Sequence, residues 1–310
     1  MDLRKPATVV LAAVFAAGCG AGSKGARIDA AIAPLIPSDT VVLAGLRLDK
    51  LKATPFFKTY VEGHKIKVLD DFQAKTGLDP TRDIWELVYA GNNKRSMVFI
   101  RGKFGGQFGQ EPDFRVPGIE RQSYKTYYIL SQGEAGVLFI TSGVAVAGAV
   151  KDLKQIIDNR DKPGENPPHD LIEMVTELPL DHAWLVSLHG GAMVPDIPLK
   201  GNMANFARLA TSLGEVKVHA DLSSGVNLQA EGDYPDAELA KQVQETIRAA
   251  VGILRLRTPD TEKELMRIYD GIQVNAKDKQ INISVVAPFD IIDQAVKAFP
   301  MRHPEGAKAE

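Results

Sequence analysis

The chain has 310 residues, of which 45% are hydrophobic and 25% charged, and its formal net charge is −2. This length and composition suffice for one large domain or two of ordinary size, each with an apolar core. Acidic and basic residues are interspersed along the chain. That pattern is typical of a solvated surface and argues against a nucleic-acid-binding protein.

The first 18 residues have the order of a secretory signal. Two basic residues, Arg4 and Lys5, are followed by eleven apolar or small residues, and then by Gly18 and the single cysteine, Cys19. An apolar stretch of this length is too short to span a bilayer, which takes ~20 residues. The pattern therefore predicts a cleaved signal peptide over residues 1–18.

The residues at the end of this segment, Ala16-Ala17-Gly18-Cys19, resemble the lipobox of bacterial lipoprotein precursors. The family usually has leucine where this chain has Ala16. The resemblance implies cleavage between Gly18 and Cys19, a diacylglyceryl thioether on Cys19, and acylation of the new amine, for example by palmitate. Two or more acyl chains hold a protein at a membrane far more firmly than one. The alternative is an ordinary cleaved signal with an incidental cysteine.

The residues after Cys19 indicate where such an anchor would hold the protein. Position 20 is Gly, whereas an Asp there commonly retains Gram-negative lipoproteins at the inner membrane. The resemblance therefore implies a cell-envelope protein facing the periplasm or the exterior, with the outer membrane favoured. Residues 20–26 are small and flexible, with a root-mean-square reach of about 15 Å. We expect residues 19–36 to form the lipidated cysteine and its tether.

A faint internal duplication divides the rest of the chain. The segments Pro37–Leu46 and Pro179–Leu188 share Pro, Asp and two Leu at identical spacing, with an offset of 142 residues throughout. In both, a Pro-x-Asp turn leads into an apolar strand. The repeat predicts two similar halves, 37–158 and 178–299.

The segments between and after these halves have the composition of connections. Residues 159–177 begin with a stretch rich in proline, which predicts a linker. Residues 300–310 are polar and contain Pro and Gly, so we expect a disordered tail.

The hydrophobic periodicity predicts a similar succession of elements in both halves, β-α-β-β-x-β-β-α. In the first half these are a strand from 41, a helix at 56–75, strands at 84–90, 97–101, 124–131 and 136–141, and a helix at 144–158. In the second half they are a strand from 183, a helix at 202–212, strands at 215–222 and 226–232, a long helix from 235, a short helix at 260–269, strands at 271–276 and 280–286, and a helix at 289–299. The fold class predicted is α+β, with each half an antiparallel sheet carrying helices on one face. Trp85 and Trp184 fall in strands, so we expect both to be buried. This pattern resembles that of duplicated α+β lipoproteins of bacteria, a resemblance that implies no reaction.

The polar residues do not form a recognisable catalytic or metal-binding motif. The six histidines are not spaced as metal ligands, and Cys19 is committed to the lipid, so we predict no metal and no cofactor. His182 and His189 are seven residues apart and would point to opposite faces of a strand, while His219 could approach them across the sheet.

The most distinctive loop is Gly102–Gly109, which contains Phe104 and Phe108. It lacks the Lys-Ser/Thr ending of a phosphate-binding loop. Its two phenylalanines instead suggest an exposed apolar contact or a flap over a pocket.

The sequence therefore predicts a lipid-anchored protein with a non-catalytic binding or scaffold role at the cell envelope. One alternative is a carrier of a small apolar or lipidic ligand in the groove between the halves. Another is an envelope hydrolase whose residues converge only in the fold. A third is an assembly partner of a larger envelope complex, which would need an exposed apolar patch.

Overall fold

The structure is a computed structural model, and it describes residues 26–62, 73, 79–105, 118–160, 168–193 and 209–291. The strands are β1 Val42–Arg47, β2 Ile84–Gly91, β3 Ser96–Gly102, β4 Glu120–Tyr124, β5 Tyr127–Gln132, β6 Ala135–Thr141, β7 Val144–Ala149, β8 Ala183–Ser187, β9 Val216–Asp221, β10 Gly225–Asp233, β11 Ile272–Lys277 and β12 Gln280–Pro288. The helices are α1 Leu48–Leu51, α2 Pro55–Tyr60, α3 Pro80–Asp83, α4 Val150–Asn159, α5 His169–Glu177, α6 Ala237–Arg257 and α7 Lys263–Asp270, with 3₁₀ turns at Ala33–Leu35 and Gly190–Met193.

These strands form one continuous sheet in the order β11-β12-β10-β9-β8-β1-β2-β3-β7-β6-β5-β4. Its ladders are antiparallel. The protein is therefore an α+β protein with a large antiparallel sheet, which confirms the predicted class. Tight turns join β9 to β10 and β11 to β12, which pair as antiparallel neighbours.

The β1–β8 ladder lies at the middle of the sheet and joins its two sides. In this ladder Leu43 is opposite Val186 and Gly45 is opposite Trp184. On one side the order is β1-β2-β3-β7-β6, and on the other it is β8-β9-β10-β12-β11. In both orders, three strands that are consecutive in the sequence are followed by a hairpin. The second strand of that hairpin, β7 or β12, pairs with the third strand, β3 or β10. The β4–β5 hairpin extends the first side at its outer edge.

One face of the sheet carries the larger core. Residues that alternate along the central strands meet the inner sides of α4 and α5 there; they include Leu43, Val88, Phe99, Leu138, Val146 and Val186 from the sheet, and Leu153, Ile157, Leu171 and Val175 from the helices. Each of these strands is apolar at every second position, and one-sided burial fixes the pairing register.

The second side of the sheet carries its helix on the opposite face. Val243 of α6 packs with Val274 and Ile281 in a separate apolar cluster, and the register places Val274 and Ile281 on the face away from Val186. Asp236 begins α6 by accepting a hydrogen bond from the backbone N–H of Leu239 at 2.8 Å. Helices α4 and α6 therefore cover opposite faces on the two sides of the sheet. The sequence predicted helices on one face of each half, but not which faces the two halves would use.

The segment 26–36 belongs to the larger core. Ala26, Ile32 and Ile36 are buried, and the backbone N–H of Ala26 donates to the carbonyl of Leu178 at 2.8 Å. The expected tether of residues 19–36 is therefore shorter, since its last eleven residues pack against the sheet. The predicted linker 159–177 likewise contains helix α5.

Several predicted elements differ in the structure. Residues 144–149 form strand β7 instead of the start of a helix, because a short run of small apolar residues that is buried on the sheet has no period that separates strand from helix. The predicted strand at 124–131 corresponds to β5, which begins at Tyr127 after a turn at Lys125-Thr126. The sequence did not predict β4, which precedes this turn. Of the helices predicted at 56–75, 202–212 and 289–299, most residues lie outside the described part of the chain.

The two tryptophans have different environments. Trp184 is 3% exposed, as predicted, whereas Trp85 is 41% exposed. Trp85 follows Ile84, next to the irregularity in the β2–β3 ladder between Ile84 and Glu86. The alternation of buried and exposed side chains along β2 is interrupted at this point. A position within a strand therefore did not ensure that Trp85 is buried.

Candidate functional site

The residues predicted for lipid attachment and cleavage, Cys19 and Gly18, lie outside the described residues, and so does Phe108. The described chain begins at Ala26, which is fully buried. The first residue that the structure describes is therefore already part of the folded core.

Phe104 differs from its predicted role as an exposed contact. Its side chain is 3% exposed and meets Phe139 edge to face, with 5.4 Å between ring centroids. Ala145 and Ile100 complete this small cluster on the face of the sheet that lies opposite α4. Because the ring fills a gap above three strands, it is a core residue.

A partly open apolar cavity lies beneath α6. It has a volume of about 210 Å³ and is lined mainly by apolar side chains, among them Leu213, Val216, Val243, Ile247 and Ile283. Helix α6 is held above it by Gln244 and Arg248, whose side chains donate to the carbonyl of Val274 at 3.1 and 2.9 Å.

The main polar side chain that can orient a ligand in this cavity is Tyr234. Burial raises the pKa of its phenol, so the phenol stays protonated and can donate a hydrogen bond at neutral pH. A cavity of this size fits a short acyl chain or a small ring. The helical period of α6 at Leu239, Val243 and Ile247 was visible in the sequence, but the gap beneath the helix was not.

A broader, open groove lies over the first side of the sheet. Its volume is about 920 Å³, and it runs between the β2–β3 turn and the β5–β6 turn, where Arg95, Glu134 and Lys151 meet the apolar side chains of Leu130 and Val137. Such a mixed and open surface suits a polar ligand or a protein segment better than a buried small molecule.

A cluster of charges lies at one end of the central strands. Glu86 of β2 is opposite Arg47 of β1 and Arg101 of β3. Arg101 pairs with Asp29 at 3.1 Å, and Arg47 lies 3.9 Å from Asp49.

Burial raises the pKa of the Glu86 carboxyl to about 7, and Arg47 and Arg101 oppose this shift in part. Asp29 and Asp49 add to it by like-charge repulsion. Glu86 therefore titrates near neutral pH. A shifted carboxyl can indicate a functional site, but ion-pair clusters produce such shifts too.

Two histidines pair with carboxylates where β8 begins and β9 ends. His219 Nδ1 lies 2.6 Å from Asp181, and His182 Nδ1 accepts a hydrogen bond from the backbone N–H of Leu222 at 3.0 Å. His182 also lies 3.3 Å from Asp221, which accepts hydrogen bonds from Ser223. The His219 imidazole thus has a carboxylate partner, and the His182 imidazole has a backbone partner. The Ser223 hydroxyl donates its hydrogen bond to Asp221 and not to a histidine.

The described residues contain no group of three or more His, Cys, Asp or Glu side chains that could hold a metal ion. Within the same ranges, no helix has both the length and the hydropathy needed to cross a bilayer.

Exposed apolar side chains concentrate near the end of α6. Ile253 and Leu254 are each 51% exposed, and Leu256 is 89% exposed. The sequence had placed the exposed apolar contact at Phe104 and Phe108 instead.

Comparison with known proteins identifies solved structures of similar fold. No protein-family model matches the chain, and no curated protein matches it. The solved structure of crystal form III of TP0453 is similar, with a TM-score of 0.51 and 11% sequence identity over 82% of this chain and 93% of that chain. Crystal form IV of TP0453 gives a TM-score of 0.50 and 10% identity over 85% and 95% of the two chains. At these identities the similarity extends to the fold alone.

Proposed function

We propose that this chain is a membrane-anchored extracytoplasmic lipoprotein with a non-catalytic binding or scaffold role at the cell envelope, and that the outer membrane carries it. The observation that most supports the proposal is the docking of Ala26, only seven residues after Cys19, into the core. A folded body that begins so soon after the lipidated cysteine is held close to the bilayer by a short tether.

Substitution of the cysteine tests the anchor. The full-length Cys19→Ser variant should keep its signal peptide uncut by the lipoprotein peptidase, lose label from radioactive palmitate, and fail to float with membranes in a density gradient. The matched control is Ser23→Ala, a similar change four residues later, which should be processed and labelled like the wild type. Palmitate labelling of Cys19→Ser would contradict the proposal.

A second candidate function is carriage of a small apolar or lipidic ligand. The apolar cavity beneath α6 favours it, because its lining is almost free of polar groups and because Tyr234 can donate one hydrogen bond. The sequence predicted such a ligand for a groove between the halves, whereas this cavity lies within the second side of the sheet.

Native mass spectrometry of the exported full-length Cys19→Ser variant tests carriage. A reproducible extra mass that is lost on denaturation would support it, and Val243→Phe, which fills the cavity, should then remove that mass. The matched control is Ala249→Phe, an exposed position on the same helix, which should retain it. A bare mass for Cys19→Ser, or a mass that Val243→Phe retains, would contradict carriage in this cavity.

We also propose that the two sides of the sheet are similar halves. Their shared strand order supports this, as does the Pro-x-Asp turn that precedes both β1 and β8. An envelope protein partner would then have a continuous sheet surface to bind, with β11 and β4 at its two edges.

A further inference from the structure

The position of residues 26–29 defines which end of the molecule lies nearest the bilayer, if the chain is anchored as proposed above. The backbone N–H of Ala26 donates a hydrogen bond to the carbonyl of Leu178, and Asp29 forms an ion pair with Arg101 at 3.1 Å. Leu178 comes shortly before β8 begins, and Arg101 is near the end of β3. In this antiparallel sheet, β8 begins where β1 and β3 end. We name this the Arg47 end of the sheet, after the last residue of β1.

The tether between Cys19 and Ala26 is short enough to favour one orientation of the sheet relative to the bilayer. Seven residue steps join Cys19 to Ala26, which gives a fully extended reach of about 25 Å and a root-mean-square reach of about 15 Å. The opposite end of the sheet, at the β2–β3 turn with Asn93, lies a further strand length away, about 20 Å for the six residues of β1. The Arg47 end is therefore the end held nearest the membrane.

Two large apolar side chains are exposed at the Arg47 end. Leu180 is 49% exposed and stands two residues after Leu178, and Trp85 is 41% exposed and precedes Glu86, the cross-strand partner of Arg101. Only β1 separates β2 from β8, so the two strands that carry these residues lie about 10 Å apart.

The surroundings of Trp85 suit a lipid headgroup region. The Lys52 ammonium donates to the carbonyl of Ile84 at 2.9 Å, and the backbone N–H of Lys103 donates to the carbonyl of Asp83 at 2.7 Å. Both lysines thus flank the start of β2. Tryptophan is enriched at membrane–water interfaces, where its ring is apolar and its N–H is solvated. Long cationic side chains can lie along such a surface with their charges in water.

We propose that the Arg47 end of the sheet rests on the bilayer that holds the lipid anchor, with Trp85 and Leu180 in the interface. This inference rests on the proposed anchor and adds a membrane-contacting surface to it. It also leaves the open groove near the β2–β3 turn directed away from the bilayer and accessible to a partner.

Tryptophan fluorescence tests this surface, because the chain has only two tryptophans and Trp184 is buried. Full-length lipidated protein is reconstituted into phosphatidylcholine vesicles with and without lipids brominated near the headgroup. The difference between the wild type and Trp85→Phe isolates the Trp85 signal. We expect this signal to shift to the blue and to lose about half its intensity in brominated vesicles, as for an indole at headgroup depth.

The matched control is the double variant Trp85→Phe, Asn93→Trp, which places the second indole at the opposite end of the sheet and should show no quenching. Flotation and palmitate label, measured on the same samples, report the anchor separately. Labelled and floating protein whose Trp85 signal is unquenched, or whose Asn93→Trp signal is quenched equally, would overturn the proposed surface and leave the anchor standing. Protein that carries no label and does not float would overturn the anchor, and the surface with it.

Discussion

The indole of Trp184 lies directly over Gly45, its cross-strand neighbour in the ladder that joins the two sides of the sheet. A Cβ added to Gly45 would overlap the indole ring. Trp184 is 3% exposed, and its Nε1 is a buried donor for which the described residues provide no hydrogen-bond partner. The ring is therefore held by packing alone, and the glycine provides the space for it.

Gly45→Ala should destabilise the protein by about 1–3 kcal/mol, because extra atoms in a well-packed core force side chains off their rotamers. Chemical denaturation of purified protein measures this as a lower midpoint. The cost should fall in a Trp184→Leu background, where the indole no longer occupies the space. An equal cost in both backgrounds would show that the strain lies elsewhere in β1.

In contrast to Gly45→Ala, Gly252→Ala should stabilise the protein. Gly252 lies within α6, and a Cβ added to it would meet nothing within 4 Å. Alanine favours the helix over glycine by about 1 kcal/mol, so the free energy of unfolding should rise by roughly that amount. The same denaturation experiment checks it, and a destabilised variant would mean that the end of α6 is not helical in solution.

Glu86 should make stability depend on pH. Because burial raises the pKa of Glu86 from 4.5 to about 7, the native state binds its proton more tightly than the unfolded chain does. This stabilisation is fully present below about pH 4.5 and is lost as the pH rises through about 7. With allowance for solvent screening at a partly exposed group, the change is about 2 kcal/mol.

The Glu86→Gln variant isolates the contribution of the Glu86 carboxyl to the pH dependence of stability. Its stability relative to the wild type should increase between pH 5 and pH 8, because the neutral amide avoids the cost of an ionised carboxylate in this position. Urea midpoints for both proteins across this range provide the measurement. Parallel curves for the two proteins would contradict the assigned pKa.

Local patterns in the sequence predicted the fold class and most strands, because alternation and tight turns depend on neighbouring residues. Long-range pairing was not predictable in the same way. The offset of 142 residues aligns Leu43 with Leu185, yet Leu43 is opposite Val186 in the ladder, so the two leucines lie on opposite faces of the sheet. The proposal that the two sides are similar halves is therefore supported by the strand order more than by that alignment.

The candidate site was less predictable than the fold. The cavity beneath α6 depends on how a helix and three strands fail to fill the space between them, which no single segment encodes. The charge cluster at Glu86 likewise requires three strands and the segment containing Asp29 to meet. The docking of Ala26 was hidden because a run of small residues is typical of a tether, whereas the burial of Ala26 depends on its contact with Leu178.

Phe104 and Trp85 provide a direct comparison between sequence expectation and structure, because each has the opposite environment to the one predicted. Phe104→Ala should cost about 3–5 kcal/mol, since it empties a buried aromatic site against Phe139. Trp85→Phe should change stability by less than about 0.5 kcal/mol, as is usual for an exposed position.

Denaturation midpoints of the two variants, measured side by side, decide between the environments. A small loss of stability in Phe104→Ala together with a large loss in Trp85→Phe would instead support the exposed Phe104 and the buried Trp85 that the sequence predicted. The expected result would instead show that Trp85 can be removed without loss of the fold. Its place at the Arg47 end of the sheet then has no role in packing, which is the behaviour expected of a residue that contacts the membrane.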